Sequence, residues 1–273
     1  MGIFDGLLIC TDLDGTLLRH DKSISRENLD AIEYFKANGG LFTIITGRMP
    51  YYVTDICEKV KPNAPFGCVN GGGLYDYNKK EYVWTQEMAE GVPEIVKCID
   101  DNFPDVGIQV STFNNTFFCK ENISMKIFRK LTGLPNLVAD YNEVEGPIAK
   151  VLFGSEENET ILAIEKTLKA HPLADRYDFI RSARTLFEIL PKGMSKGKSI
   201  EKLSDVLKID KSKIIAIGDY DNDVEMFKSA GVAIAVSNAC DKAKAAADYI
   251  TVSNEENAVA KVIYDLGKGI YLK

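Results

Sequence analysis

Three nearly continuous apolar runs, at residues 7–11, 41–46 and 66–70, punctuate the first third of the chain, each bounded by Gly, Asp or Asn. Apolar runs without polar alternation predict strands buried on both faces, as in a parallel sheet. Between the first two runs, Leu29, Ile32 and Phe35, with Ala31 and Tyr34 near them, recur at helical spacing over residues 25–38. Ser25 suits the N-cap of that helix and Gly39 the position just past its end. The last third repeats the alternation. Helical patterns at 196–207, 221–230, 238–247 and 255–266 are interleaved with short apolar runs at 214–218, 232–236 and 249–252. Strands alternating with helices predict an α/β fold, a doubly wound parallel Rossmann-like sheet with right-handed crossovers.

The middle of the chain follows another rule. Residues 73–84 and 107–120 read as antiparallel hairpins with Asn or Lys at their turns, and 151–154 and 177–190 add further strands. Helical patterns at 91–102, 124–131 and 156–170 separate them. The expected organisation is a discontinuous core, residues 1–83 and 192–273, interrupted by an inserted α+β cap at 84–191.

Composition narrows the function classes. A chain of 273 residues is long enough for one large α/β domain or two ordinary ones. Lys and Arg number 33 against 40 Asp and Glu, a net charge of -7 that repels polyanions and argues against a nucleic-acid partner. No apolar run approaches the ~20 residues a membrane span needs. The start "MGIFDG" has neither the basic nor the apolar region of a signal peptide, so a cytoplasmic protein is expected. Six scattered cysteines without a C-x-x-C pair predict free thiols, with Cys10 and Cys68 as small core residues. Only two histidines, His20 and His171, disfavour a His-based zinc site and a Ser-His-Asp triad. Any metal is then expected to be a hard cation on oxygen ligands.

The carboxylates supply such ligands. Asp12 and Asp14 follow the first strand, Thr46 in "ITGR" ends the second, and Asp219 and Asp223 in "IAIGDYDND" follow the strand at 214–218. Lys196 opens the helix before that strand. Ligands of open α/β sheets bind beyond the carboxyl ends of the strands, so all of these converge on one crevice. Clustered carboxylates stay ionised only with a cation, and Mg2+ suits carboxylates, water and phosphate oxygens. The Thr46 hydroxyl and the Lys196 charge suit a phosphoryl group, and a carboxylate can attack phosphorus. Asp12 and Asp14 are two residues apart, which in extended chain puts both on one side and allows one to attack while the other moves protons.

Each residue also has a plainer reading. Thr46 would cap a helix over "MPYYVTDI", Lys196 would be an ordinary surface lysine, and Asp221 a cap or loop carboxylate. Arg48 either touches substrate or pairs with an acid. Arg181, Arg184 and Lys192 either face an anionic substrate or form a solvated strand edge. "GMSKGKS" imitates a phosphate-binding P-loop, but its loop is one residue short and Lys192 stands where the first Gly belongs.

Taken together, "DLDGT", "TGR", a "KG" helix start and "GDYDND", in this order over the whole chain, resemble the motifs of the haloacid-dehalogenase superfamily of phosphatases. The large insert between the second and third motifs, "VNGGG" near Asn70 and the "GDYDNDVEMF" form of the last motif resemble its Cof-like branch. The resemblance implies that Asp12 is the nucleophile and Asp14 the general acid/base. It implies Mg2+ held by Asp12, the backbone carbonyl of Asp14 and Asp219, with Asp223 beside them. It further implies that Thr46, Gly47, Lys196 and Asn222 contact the transferring phosphate, and that the insert is a mobile cap that selects substrates.

The expected function is a Mg2+-dependent phosphatase acting through an aspartyl-phosphate intermediate. Its partners would be small phosphorylated metabolites, sugar phosphates or phosphorylated cofactors, with neither nucleic acid nor membrane. Two alternatives stand beside it. A sugar-phosphate mutase would use the same intermediate with a sugar hydroxyl as acceptor. A non-catalytic sensor of phosphorylated metabolites is disfavoured by the presence of both Asp12 and Asp14. The pattern names neither the substrate nor the oligomeric state.

Overall fold

The computed structural model describes residues 2–271. The first segment runs β1 (Leu8–Thr11), α1 (Arg26–Ala37), β2 (Leu41–Ile44), α2 (Thr54–Val60), β3 (Phe66–Cys68), β4 (Gly73–Asp76) and β5 (Glu81–Thr85). The middle runs α3 (Val92–Asn102), β6 (Gly107–Thr112), β7 (Thr116–Lys120), α4 (Ile123–Thr132), β8 (Ile148–Gly154), α5 (Asn158–Lys169), β9 (Tyr177–Ala183) and β10 (Leu186–Pro191). The last segment runs α6 (Lys196–Leu207), β11 (Ile214–Gly218), α7 (Val224–Ser229), β12 (Val232–Ala235), α8 (Asp241–Ala246), β13 (Tyr249–Ile250) and α9 (Ala258–Gly267). The chain divides into two compact units, one built from the residues up to Thr85 and from Ser195 onward, the other from Gln86–Met194. No helix among the described residues is long and apolar enough to cross a membrane.

The first unit holds a parallel sheet in the order β13-β12-β11-β1-β2. Every residue of β1 and β11 is buried, which is why both read as unbroken apolar runs. Thr11 of β1 lies opposite Ile217 of β11 on one side and Ile44 of β2 on the other. The three strands run in the same direction and in register, so the residues following them emerge at one edge. α1 buries Asn28, Ala31, Ile32 and Phe35. Its N-cap is Ser25, whose hydroxyl accepts from the Asn28 N–H at 3.1 Å, and the chain leaves it through Gly39 at φ 91°.

Several elements differ from the sequence pattern. The run at 66–70 does not become a ladder strand of the parallel sheet. β3 pairs antiparallel with β4, β4 pairs antiparallel with β5, and only an isolated parallel bridge from Ile45 to Gly67 joins β3 to β2. The cause is a turn: Val69 and Asn70 are left-handed at φ 53° and 49°, and the chain doubles back into β4. The helical patterns at 221–230 and 255–266 each open with a 3-10 turn, Asp221–Asp223 and Asn254–Glu256, before the α-helix begins.

The second unit is α+β, an antiparallel sheet in the order β7-β6-β8-β10-β9. Ile95, Val96 and Ile99 of α3 and Ile161, Ile164 and Leu168 of α5 share one core with Ile108, Val110, Val151, Phe153, Phe187 and Ile189 of the sheet. The division falls slightly later than the sequence pattern places it at each end. Trp84 and Thr85 still pair with Leu74 and Gly73 in the β4–β5 ladder, while Lys192 and Gly193 bond to Asp178. The whole is an α/β fold with a parallel Rossmann-like sheet and an inserted α+β unit.

Candidate active site

The edge where β1, β2 and β11 end carries the candidate residues. Asp12 follows β1, and its N–H donates to the Ile217 carbonyl at 2.8 Å, which pins it to the end of β11. Lys196 is the first residue of α6, whose N-cap Ser195 accepts from the Lys198 N–H at 3.3 Å. The Lys196 ammonium is buried, and it donates to Asp12 Oδ1 and to Asp223 Oδ1, each at 2.6 Å. The plain surface-lysine reading of Lys196 is therefore wrong. Asp219 follows β11 and accepts from the Thr16 hydroxyl at 3.0 Å. The other oxygen of Asp223 accepts from the N–H groups of Asp219 (2.8 Å) and Tyr220 (3.0 Å), which closes the turn between them. Carboxylate oxygens of Asp12, Asp219 and Asp223 all lie within 4.8 Å of one another.

Gly15 permits this crowding. It sits at φ 84°, and a Cβ there would lie 2.4 Å from Asp219 Oδ2, so both its backbone conformation and its lack of a side chain are used.

Three carboxylates around one ammonium leave an excess of negative charge in a buried place. Burial pushes the Asp12 carboxyl well above the usual carboxylate range; Lys196 opposes the shift, and Asp223 and Asp219 add to it. Burial, then the Asp223 charge, pushes Asp219 up to about 6. Burial disfavours the Lys196 charge, but Asp12 and Asp223 more than offset this and hold the ammonium protonated. Two uncompensated carboxylates, lined by oxygen donors only, fit a divalent hard cation. The donor set therefore suits a hard cation on oxygen ligands, without selecting among such cations.

Asp14 stands apart from that cluster. The strand ends at Thr11, so the alternation that would put Asp12 and Asp14 on one side does not reach Asp14. Its half-exposed carboxylate takes a bidentate pair from Arg48, at 3.0 Å to Nε and 2.8 Å to the terminal nitrogen, and a bond from Lys22 Nζ at 2.8 Å. Partial burial disfavours its charge, but Arg48 and Lys22 outweigh this and hold the carboxyl below its ordinary range. Of the two readings of Arg48, the structure displays the pairing with an acid.

Thr46 is not a helix N-cap. Its hydroxyl accepts from the Arg48 N–H at 3.2 Å, and the next helical turn starts at Pro50 with Met49 as its N-cap. Gly47 packs directly on the Asn70 amide, where a Cβ would lie 2.9 Å from both terminal atoms. Asn222 donates to Asn70 Oδ1 at 3.3 Å. Asp221 faces Cys240 and Lys242 outside the cluster, in keeping with its loop reading. Arg181 bonds to Asn158 and the Arg184 carbonyl, and Lys192 to Asp178, all within the second unit. Thr16, Lys22 and Asn70 were not singled out as site residues from sequence. For Asn70 a signal exists in the Gly-rich "VNGGG" and for Thr16 in "DLDGT", which ends on it; Lys22 has none.

A family model described as haloacid dehalogenase-like hydrolase matches residues 9–263. Among curated proteins, the 5-amino-6-(5-phospho-D-ribitylamino)uracil phosphatase YitU of Bacillus subtilis is 30% identical over 264 residues, covering 94% of this chain and 96% of its own. A second Bacillus subtilis phosphatase of the same name, YwtE, is 29% identical over 288 residues, covering 96% of this chain and 99% of its own. Among solved structures, a haloacid dehalogenase-like hydrolase from Bacteroides thetaiotaomicron superposes with a TM-score of 0.84 at 26% identity, covering 95% of this chain and 99% of its own.

Proposed function

This chain belongs to the haloacid dehalogenase-like hydrolase family and hydrolyses phosphoric monoesters, and from that premise we propose a Mg2+-dependent phosphatase for small phosphorylated metabolites. The substrate class is phosphate esters of sugars, sugar alcohols or cofactor precursors. It is supported by relatives named for a phosphorylated ribitylamino-uracil. The observation that carries the reading is the buried Asp12 carboxylate, held at 2.6 Å by Lys196 beside Asp219 and Asp223.

In this reading Asp12 attacks phosphorus, the bond to the alcohol oxygen breaks, and Asp14 delivers a proton to the departing alcohol. The ionised Asp14 then takes a proton from water as that water attacks the aspartyl phosphate, which frees inorganic phosphate and restores Asp12. Arg48 and Lys22 favour the ionised Asp14 that this second step uses. Asp12, Asp219 and the backbone carbonyl of Asp14 would hold Mg2+, which supplies positive charge against the carboxylates and the phosphoryl oxygens. Both oxygens of Asp223 are already engaged, so it acts by holding Lys196 and the Asp219 turn in place. Thr46, Gly47, Lys196 and Asn222 cradle the transferring phosphate. The first unit acts as the catalytic core, and the inserted unit, Gln86–Met194, as the cap that selects the leaving group.

The test is hydrolysis of p-nitrophenyl phosphate with Mg2+, with EDTA, and by Asp12→Asn. Turnover is expected only for the wild type with Mg2+, with Asp12→Asn slower by at least about 10³-fold. Undiminished turnover by Asp12→Asn would falsify the nucleophile assignment. An isomerised sugar phosphate formed without free phosphate would turn the reading to a mutase.

A further inference from the structure

The turn Val69–Gly71 breaks a local rule. Three successive residues have positive φ, at 53°, 49° and 99°, and the first is a β-branched valine, for which the left-handed region is strongly disfavoured. Such a conformation persists only where the surroundings enforce it, and it collects at functional sites. Here the surroundings are the candidate phosphate contacts. The Val69 N–H donates to the Arg48 carbonyl and the Asn70 N–H to the Thr46 carbonyl, each at 3.1 Å, which clamps the turn at residues 46–48 from both ends. The buried Asn70 amide lies against Gly47 and accepts from Asn222 at 3.3 Å. Gly71 rests on the Ser195 carbonyl, where a Cβ would sit at 1.9 Å, at the start of the helix that carries Lys196.

We infer that Asn70 is a positioning residue for the transferring phosphate, its side-chain amide holding Asn222 and packing on Gly47 while the backbone of the turn clamps residues 46–48. It rests on the phosphatase reading above. One strained turn thus braces three segments that arrive from distant parts of the sequence. Asn is suited to the task because it tolerates the left-handed backbone better than most residues with a side chain, and its amide offers both a donor and an acceptor.

The probe is inorganic phosphate titrated calorimetrically into the Mg2+-loaded protein. Asn70→Gly keeps the left-handed backbone and deletes only the amide; Asn70→Ala adds backbone strain and serves as the harsher variant. Asn70→Gly is expected to weaken phosphate binding about tenfold, the loss typical of one hydrogen-bonded contact. Mg2+ affinity, titrated in parallel, is expected to stay within about threefold, since no carboxylate of the cluster bonds to Asn70. In an Asn222→Ala background the Asn70→Gly effect is expected to shrink, because the partner it positions is gone. Wild-type phosphate affinity in Asn70→Gly overturns the inference, as does a parallel loss of Mg2+ affinity or an undiminished effect in the Asn222→Ala background. A wild type that binds phosphate yet releases none from any ester with Mg2+ would instead count against the phosphatase reading, and the binding comparison would still decide the role of Asn70.

Discussion

Lys196→Met removes the one ammonium that the buried carboxylates share and replaces it with a side chain of similar length. Lys196 is 2% exposed, and its two partners, Asp12 and Asp223, are 6% and 0% exposed. Water cannot take over the lost bonds at such burial. Breaking a buried ion pair from one side costs about 3–5 kcal/mol, because the partner is left charged and unpaired. For a unit of this size each kcal/mol moves the midpoint by about 2–4 °C, so in EDTA at pH 7.5 the first unit should melt about 6–20 °C lower. Mg2+ should narrow the gap, since a cation among the carboxylates restores part of the missing charge. Acidification should narrow it too, because protonation relieves the same excess. The assay is thermal melting followed by circular dichroism, with Mg2+ and with EDTA, at pH 5 and 7.5. Phosphatase turnover with Mg2+ should fall about 10²–10³-fold as a phosphate contact is lost. A variant as stable as wild type in EDTA at pH 7.5 would refute the charge reasoning. So would a gap that Mg2+ leaves unchanged.

Two further outcomes follow from the opposite shifts of the site's acids. Asp219 is raised from 3.8 to about 6 in the metal-free protein, so the folded state binds that proton more tightly than the unfolded chain. Its ionisation therefore costs stability increasingly as pH rises through this range, with the full cost above it. In EDTA, Asp219→Asn should nearly match wild type near pH 4 and exceed it by about 3 kcal/mol at pH 7.5, read by urea denaturation; a gap that is constant with pH would contradict the assignment. Asp14 is 43% exposed at its side chain, so its pairs with Arg48 and Lys22 are solvent-screened. Asp14→Asn should change stability by less than about 1 kcal/mol while lowering kcat about 10²–10⁴-fold, and a large fall in midpoint with kcat intact would reverse that reading.

The parallel sheet was legible in the sequence because β1 and β11 are buried on both faces, which leaves no polar position to break the run. The first helix was legible to the residue at its start, since Ser25 caps it through its own side chain. The third run was misplaced for a physical reason. A strand of three buried residues looks alike in a parallel and an antiparallel ladder, and the left-handed turn at Val69 that decides between them contains a residue type that argues against it. Candidate site residues were found where chemistry is tied to a strand end: Asp12, Asp219 and, through the following turn, Asp223. What could not be read was which cation meets which oxygen. Arg48 lies 34 residues from Asp14, and long side chains reach partners that spacing does not reveal.

The difference between the two early acids has a consequence for how the site is switched on. They are two residues apart, yet burial raises Asp12 while Arg48 and Lys22 lower Asp14. Environment, not residue type, sets them apart. The proposed nucleophile occupies the place where a negative charge is least welcome, and the proposed proton carrier the place where it is most welcome. One lysine is insufficient for three carboxylates, so without a further cation the crowding favours proton uptake by the cluster and works against Asp12 as a nucleophile. A divalent cation held by Asp12 and Asp219 would supply the charge that favours the ionised Asp12, which ties reactivity to metal occupancy through charge. The stability cost of the crowded carboxylates and the expected dependence of turnover on metal are thus two readings of one imbalance, and Lys196→Met, by enlarging that imbalance, should worsen both.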